Sequence, residues 1–145
     1  MKNSPNAKAL KPKHPVKVSG FIPCYNNAET ITEAIKSMRN QSYCLDEIFV
    51  VDDGSTDNSV KEIQDMGIEV LENGQNLGRG ATRKKGMERA QNEFVLCCDA
   101  TNRLEANFLQ KALCHFGEKP IASVSGRIVG GEKRNFVDRW RGRHL

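Results

Sequence analysis

Four times along this chain an apolar run short enough for a buried strand gives way to a polar turn and then to a segment of helical periodicity. No other feature restricts the fold as much. VKVSGFIP at 16–23 leads to ETITEAIKSMRNQ, where Ile31, Ala34, Ile35 and Met38 recur at helical spacing. EIFVV at 47–51 leads to a helix with Val60, Ile63 and Met66 on one side and Gly67 as its stop. IEVL at 68–71 leads through NGQNLGRG into ATRKKGMERAQ. FVLCC at 94–98 leads to ANFLQKALCHF, whose Phe108, Leu109, Ala112, Leu113 and Phe116 share one broad face. Thr30 and Glu33 have the form of a capping box at the first helix, and IASVSGRIV at 121–129 supplies a fifth strand. The alternation predicts an α/β domain, a mostly parallel sheet with helices on both faces joined by right-handed crossovers.

In such sheets ligands bind beyond the carboxyl ends of the strands. The polar clusters obey that rule: PCYNN ends the first strand, DDGSTD the second, NGQNLGRG follows the third and DATN ends the fourth. Asp52 and Asp53 close an apolar strand, and a carboxylate there accepts from a nucleobase N–H or ribose hydroxyls. The competing role, an Asx-turn or helix-cap residue, suits Asp57 or Thr56 better. The loop Gly74 to Gly80 is not G-x-G-x-x-G, and Gly80 to Lys85 is not a P-loop, which disfavours a dinucleotide fold and a P-loop enzyme. A glycine-rich turn opening a helix still presents backbone N–H groups to phosphate, with Arg79 and Arg83 at or near its first turn. Arg83, Lys84 and Lys85 read equally well as a solvated face. Asp99 ends the fourth strand, where two carboxylates spaced D-x-D would coordinate Mg²⁺ or Mn²⁺; Thr101 stands at the second position. A phospho-accepting receiver domain shares an acidic pair, a later Asp and a Lys-Pro, but Lys119-Pro120 falls before a strand and the acidic pair ends the second strand, not the first.

The 145 residues suit one domain, from 16 to 131, between a disordered basic lead (1–15, four lysines and no acid) and a basic stretch at 132–145. The middle is net acidic and has no basic stripe interleaved with aromatics, which argues against nucleic acid. No apolar run nears the ~20 residues that span a bilayer. The N-terminus lacks the apolar core of a secretory signal. The expectation is a soluble cytoplasmic chain, or one held at the cytoplasmic membrane face by its basic ends. Five cysteines, Cys24, Cys44, Cys97, Cys98 and Cys114, without a C-x-x-C pair, suit reduced thiols better than a disulfide framework or zinc.

FIPCYNNAETITEAIKSMRNQSY, EIFVVDDGSTDNSV, ENGQNLGRGATRKKGMERAQNEFVLCCDA and RLEANFLQKAL, in this order and spacing, closely resemble the family-2 glycosyltransferases. The resemblance implies a Rossmann-like GT-A fold that binds a nucleotide-sugar, here its donor-binding half in truncated form. It implies that the backbone around Pro23 and Tyr25 holds the nucleoside, that Asp53 contacts base or ribose, and that Arg83 lies near base and diphosphate. Asp99 would be the first carboxylate of the D-x-D, helping to hold a divalent metal (Mg or Mn) and the ribose. By family frequency the donor is a UDP-sugar, transferred with inversion to a saccharide, lipid or protein acceptor. Asp138 is the only Asp after Thr101, its DRWRGRHL setting resembles the start of an acceptor half, and no catalytic base is assigned. The alternative is a nucleotide-binding module without turnover. An incomplete sheet would also expose an apolar edge and favour self-association.

Overall fold

A computed structural model describes residues 15–116 and 121–127. Eight elements alternate along it: β1 (Val18–Cys24), α1 (Ile31–Arg39), β2 (Glu47–Asp52), α2 (Ser59–Asp65), β3 (Glu69–Glu72), α3 (Arg79–Arg89), β4 (Phe94–Cys97) and α4 (Phe108–Leu113). The four strands form one parallel sheet in the order β3-β2-β1-β4. β1 and β2 are central and buried on both faces, which is why they read as nearly unbroken apolar runs.

Side chains alternate between two cores, as the period of two requires. Val18, Ile22, Cys24, Val50 and Leu96 face α1, α2 and α4 through Ile31, Ile35, Met38, Ile63, Leu109 and Leu113. Phe21, Phe49 and Val51 face the other way. The Phe21 and Phe49 rings stack at 5.8 Å, and Arg89 lies over Phe49 at 5.4 Å. α3 covers this second face with small residues: its buried positions are Thr82 and Gly86. A Cβ at Gly86 would fall 2.3 Å from the Phe21 ring, so only glycine lets the helix lie this close.

Several sequence expectations differ from the structure. Thr30 is the N-cap of α1, but with φ −122° and ψ −23° its hydroxyl makes no cap bond and turns to the Asn27 carbonyl at 3.5 Å. Glu33 pairs with Lys36 at 2.9 Å, so the capping box does not form. The last helix is confined to α4, preceded by turns at Ala106 and Asn107. Residues 121–127 carry no regular structure; Gly126 lies against Phe108 in place of a fifth strand's start. The basic lead up to residue 14, Lys119-Pro120 and the stretch with Asp138 and Trp140 lie outside the described residues. Among those described, no helix is long and apolar enough to cross a membrane, and the five cysteines are free thiols.

Candidate functional site

The chain advances β1, β2, β3 to one side and then crosses back to place β4 on the other side of β1, so the strand order reverses between β1 and β4. Pro23 widens that point. Phe21 O accepts from Cys98 N at 3.1 Å on the β4 side, and Cys24 O accepts from Asp53 N at 2.8 Å on the β2 side. Backbone alternation therefore turns the Pro23 imide toward β4. With no N–H to offer, β1 cannot prolong that ladder, and the pairing stops at Phe21 with Cys97. Beyond it opens a cleft of about 370 Å³, lined among others by Pro23, Tyr25, Asp53, Arg79, Asp99 and Thr101.

The two carboxylates at the end of β2 have separate tasks. Asp52 accepts from the N–H groups of Gly54 (3.1 Å) and Ser55 (2.8 Å) and from the Ser55 hydroxyl, closing the turn on itself. Asp52 thus closes an Asx-turn of its own, beside the one expected of Asp57. Asp57 does act near the start of α2, accepting from Ser59 N at 2.9 Å and from Ala28 N at 3.0 Å. Asp53, 4% exposed, crosses to the glycine-rich loop. It accepts from Asn73 Nδ2 at 2.8 Å and from the backbone N–H groups of Leu77 and Gly78, each at 2.9 Å. Burial pushes its carboxyl up, but the bonds from Asn73, Leu77, Thr82 and Gly78 outweigh burial and hold it below the ordinary carboxylate value. Gly54, at φ +77°, brings the two loops together; a Cβ there would meet the Gln75 backbone at 2.6 Å.

Arg83 and Asp99 also meet. Arg83 projects from α3 to Asp99 Oδ1 at 2.7 Å, with both side chains roughly two-fifths exposed (39% and 43%). The hydrogen bond to Asp99 raises the guanidinium further above its usual value. Pro23, Tyr25, Asp53 and Asp99 line one cleft, and Arg83 adjoins it through Asp99. Arg79, the first residue of α3, lines the cleft with no carboxylate partner among the described residues. Sequence reasoning missed Asn73 and Thr82, which hold Asp53 in place. Their only signal was the position of Asn73 directly after a strand, in a loop already read as polar.

Asp99 Oδ1 is engaged by Arg83, while Oδ2 has no partner among the described residues and Thr101 lies beside it in the cleft. Among those residues no three His, Cys, Asp or Glu side chains form a closed metal cage. This donor set fits a hard cation shared with a ligand's phosphates, not one enclosed by the protein.

A parallel sheet of this topology with its cleft at the strand reversal is that of the GT-A glycosyltransferases. Chain and solved structures agree: a mannosyltransferase from Pyrobaculum calidifontis, solved with GDP-Man and Mn²⁺, superposes with TM-score 0.70 at 24% identity over 77% of this chain and 35% of that one. TarS 1–349 of S. aureus, solved with UDP, gives TM-score 0.64 at 25% identity over 81% of this chain and 40% of that one. The chain belongs to glycosyl transferase family 2, whose model matches residues 19–144. It is 35% identical over 102 residues to a cholesterol galactosyltransferase of Borreliella burgdorferi (67% of this chain, 28% of the relative). It is 28% identical over 126 residues to a hyaluronan synthase of Streptococcus pyogenes (79% and 30%). The chain spans less than half the length of these curated relatives.

Proposed function

We propose that this chain forms the donor side of a glycosyltransferase that takes a sugar from a nucleotide-sugar, a UDP-sugar, and delivers it with inversion to a saccharide, lipid or protein acceptor. The observation that carries the reading is the convergence of Pro23, Tyr25, Asp53 and Asp99 on one cleft at the strand reversal. Pro23 and Tyr25 flank the nucleoside, and Asp53, which lines the cleft, accepts one further N–H or hydroxyl from base or ribose. Arg83 and Arg79 face the diphosphate, where developing negative charge on the departing nucleotide is best met by cationic groups. A divalent metal, Mg²⁺ or Mn²⁺, would be held by Asp99 with Thr101 and the donor's phosphates, and would supply further charge neutralisation to the leaving group. The proposed location is the cytoplasm or the cytoplasmic membrane face.

Calorimetric titration of UDP and of GDP, each with Mn²⁺ and with EDTA, tests this on the wild type and on Asp53→Ala. Saturable UDP binding strengthened by Mn²⁺ and lost in Asp53→Ala is expected. No binding of either nucleotide by a folded chain would sink the reading. A nucleotide-binding module without turnover is favoured by one observation, the neutral Thr101 opposite a carboxylate already paired with Arg83. UDP-sugar bound but never cleaved in the presence of a panel of acceptors would select it. Self-association of the chain is expected in light scattering as mass rising with concentration.

A further inference from the structure

Lys85 and Asn73 lie outside the cleft lining, yet they close a ring of hydrogen bonds behind it. Lys85 Nζ donates to Asn73 Oδ1 at 2.8 Å and to the Glu72 carbonyl at 2.9 Å. Asn73 Nδ2 donates to Asp53 Oδ1 at 2.8 Å and lies 3.4 Å from Thr82 Oγ1. Asp53 in turn receives Leu77 N and Gly78 N, at the entrance of the helix that carries Thr82 and Lys85. The amide of Asn73 has no second orientation here. An ammonium only donates and a carboxylate only accepts, so Oδ1 must face Lys85 and Nδ2 must face Asp53. Asn73 is itself seated by its backbone N–H to the Asp52 carbonyl at 2.9 Å.

We propose that Asn73 and Lys85 are positioning residues for the donor loop: Lys85 fixes the Asn73 amide, Asn73 fixes Asp53, and Asp53 sets Leu77 and Gly78 at the mouth of the cleft. The claim that this matters for binding rests on the donor-site reading above; the claim that it sets the loop does not. Lys85 was expected on this helix as part of a solvated face. Its ammonium instead meets a carbonyl and an amide oxygen, where it polarises the Asn73 N–H toward a buried carboxylate.

Two readouts on the full chain test it, with Lys85→Met, Lys85→Arg, Asn73→Ala and the double variant Asn73→Ala/Lys85→Met. The first is amide hydrogen exchange at Leu77 and Gly78 without ligand, and the second is UDP titration. Lys85→Met is expected to speed exchange at both amides and weaken UDP each by roughly tenfold, the size of one charge-assisted bond. Exchange at Ala90, bonded to the Gly86 carbonyl at the end of α3, is expected to stay unchanged, and Lys85→Arg to restore both readouts. In the Asn73→Ala background, Lys85→Met adds nothing further. Full additivity of the two substitutions, or equal loss of protection along all of α3, would overturn the proposal. The expected exchange pattern in a chain that binds neither UDP nor GDP would uphold the loop-setting role and remove the donor-site reading alone.

Discussion

At the scale of single residues, the site depends on Asp53 more than the sequence could show. Its place at the end of a buried strand was legible; that its carboxylate would be engaged by its own protein's loop was not, because Leu77 and Gly78 are more than twenty residues away and act through backbone N–H groups. Asp53→Asn keeps the shape but turns an acceptor into a donor, facing one of those N–H groups with an NH₂. The expected cost is about 1–3 kcal/mol in urea unfolding at neutral pH. The pH dependence has a defined sign. The folded-state carboxyl is depressed, so its contribution is full above the unfolded value of about 3.9 and is lost as pH falls through the folded value. Wild-type stability should therefore decline more steeply than that of Asp53→Asn on acidification below about pH 4. Parallel curves for the two proteins would show that the carboxylate is not held in this way. At Thr101 the substitution Thr101→Asp adds the second carboxylate beside Asp99, and UDP affinity should become more dependent on Mn²⁺; an unchanged difference between Mn²⁺ and EDTA titrations would place the metal elsewhere.

At the scale of elements, what was legible is what repeats. β1, β2 and α1 bury apolar residues at regular spacing and were found where the periodicity put them. α3 follows no such rule, since it meets the sheet through Thr82 and Gly86 and shows solvent a run of charge. Its packing is decided by the Phe21 ring on another element. Gly86→Ala improves helix propensity by up to about 1 kcal/mol. The methyl must nevertheless displace a fully buried, stacked ring, and overpacking of about 1–3 kcal/mol should win, lowering the urea midpoint. A stabilised Gly86→Ala would mean that α3 lies farther from the sheet. Gln41 is the second element-scale surprise. Buried after α1, it donates to the carbonyls of Ser37 (3.0 Å) and Glu105 (2.8 Å) and accepts from Leu109 N (2.9 Å), tying α1 to the short α4. Gln41→Leu fills the space and orphans a buried N–H, for an expected loss of about 1–3 kcal/mol. Lys111→Ala, on the exposed side of α4, should stay within about 0.5 kcal/mol by the same measurement.

Across the whole molecule the central strands and the edge differ in what holds them, and the donor loop hangs from the weaker part. β1 and β2 are paired on both sides and covered on both faces, whereas β3 is an edge strand of four residues, none of them fully buried. Its last residue, Glu72, precedes Asn73, so opening of β3 pulls at the ring that holds Asp53. Local opening follows local burial, and a ligand that binds only the closed arrangement stabilises the part that opens. Native-state hydrogen exchange should therefore show β1 and β2 amides exchanging only with global unfolding, and β3 opening at lower free energy. Saturating UDP should slow exchange in β3 and at Leu77 and Gly78 far more than in β1. If β3 proves as protected as β1 without ligand, the loop is set before the nucleotide arrives and binding orders nothing. If UDP slows every strand equally, it acts on global stability alone, and the edge strand has no special part in admitting the donor.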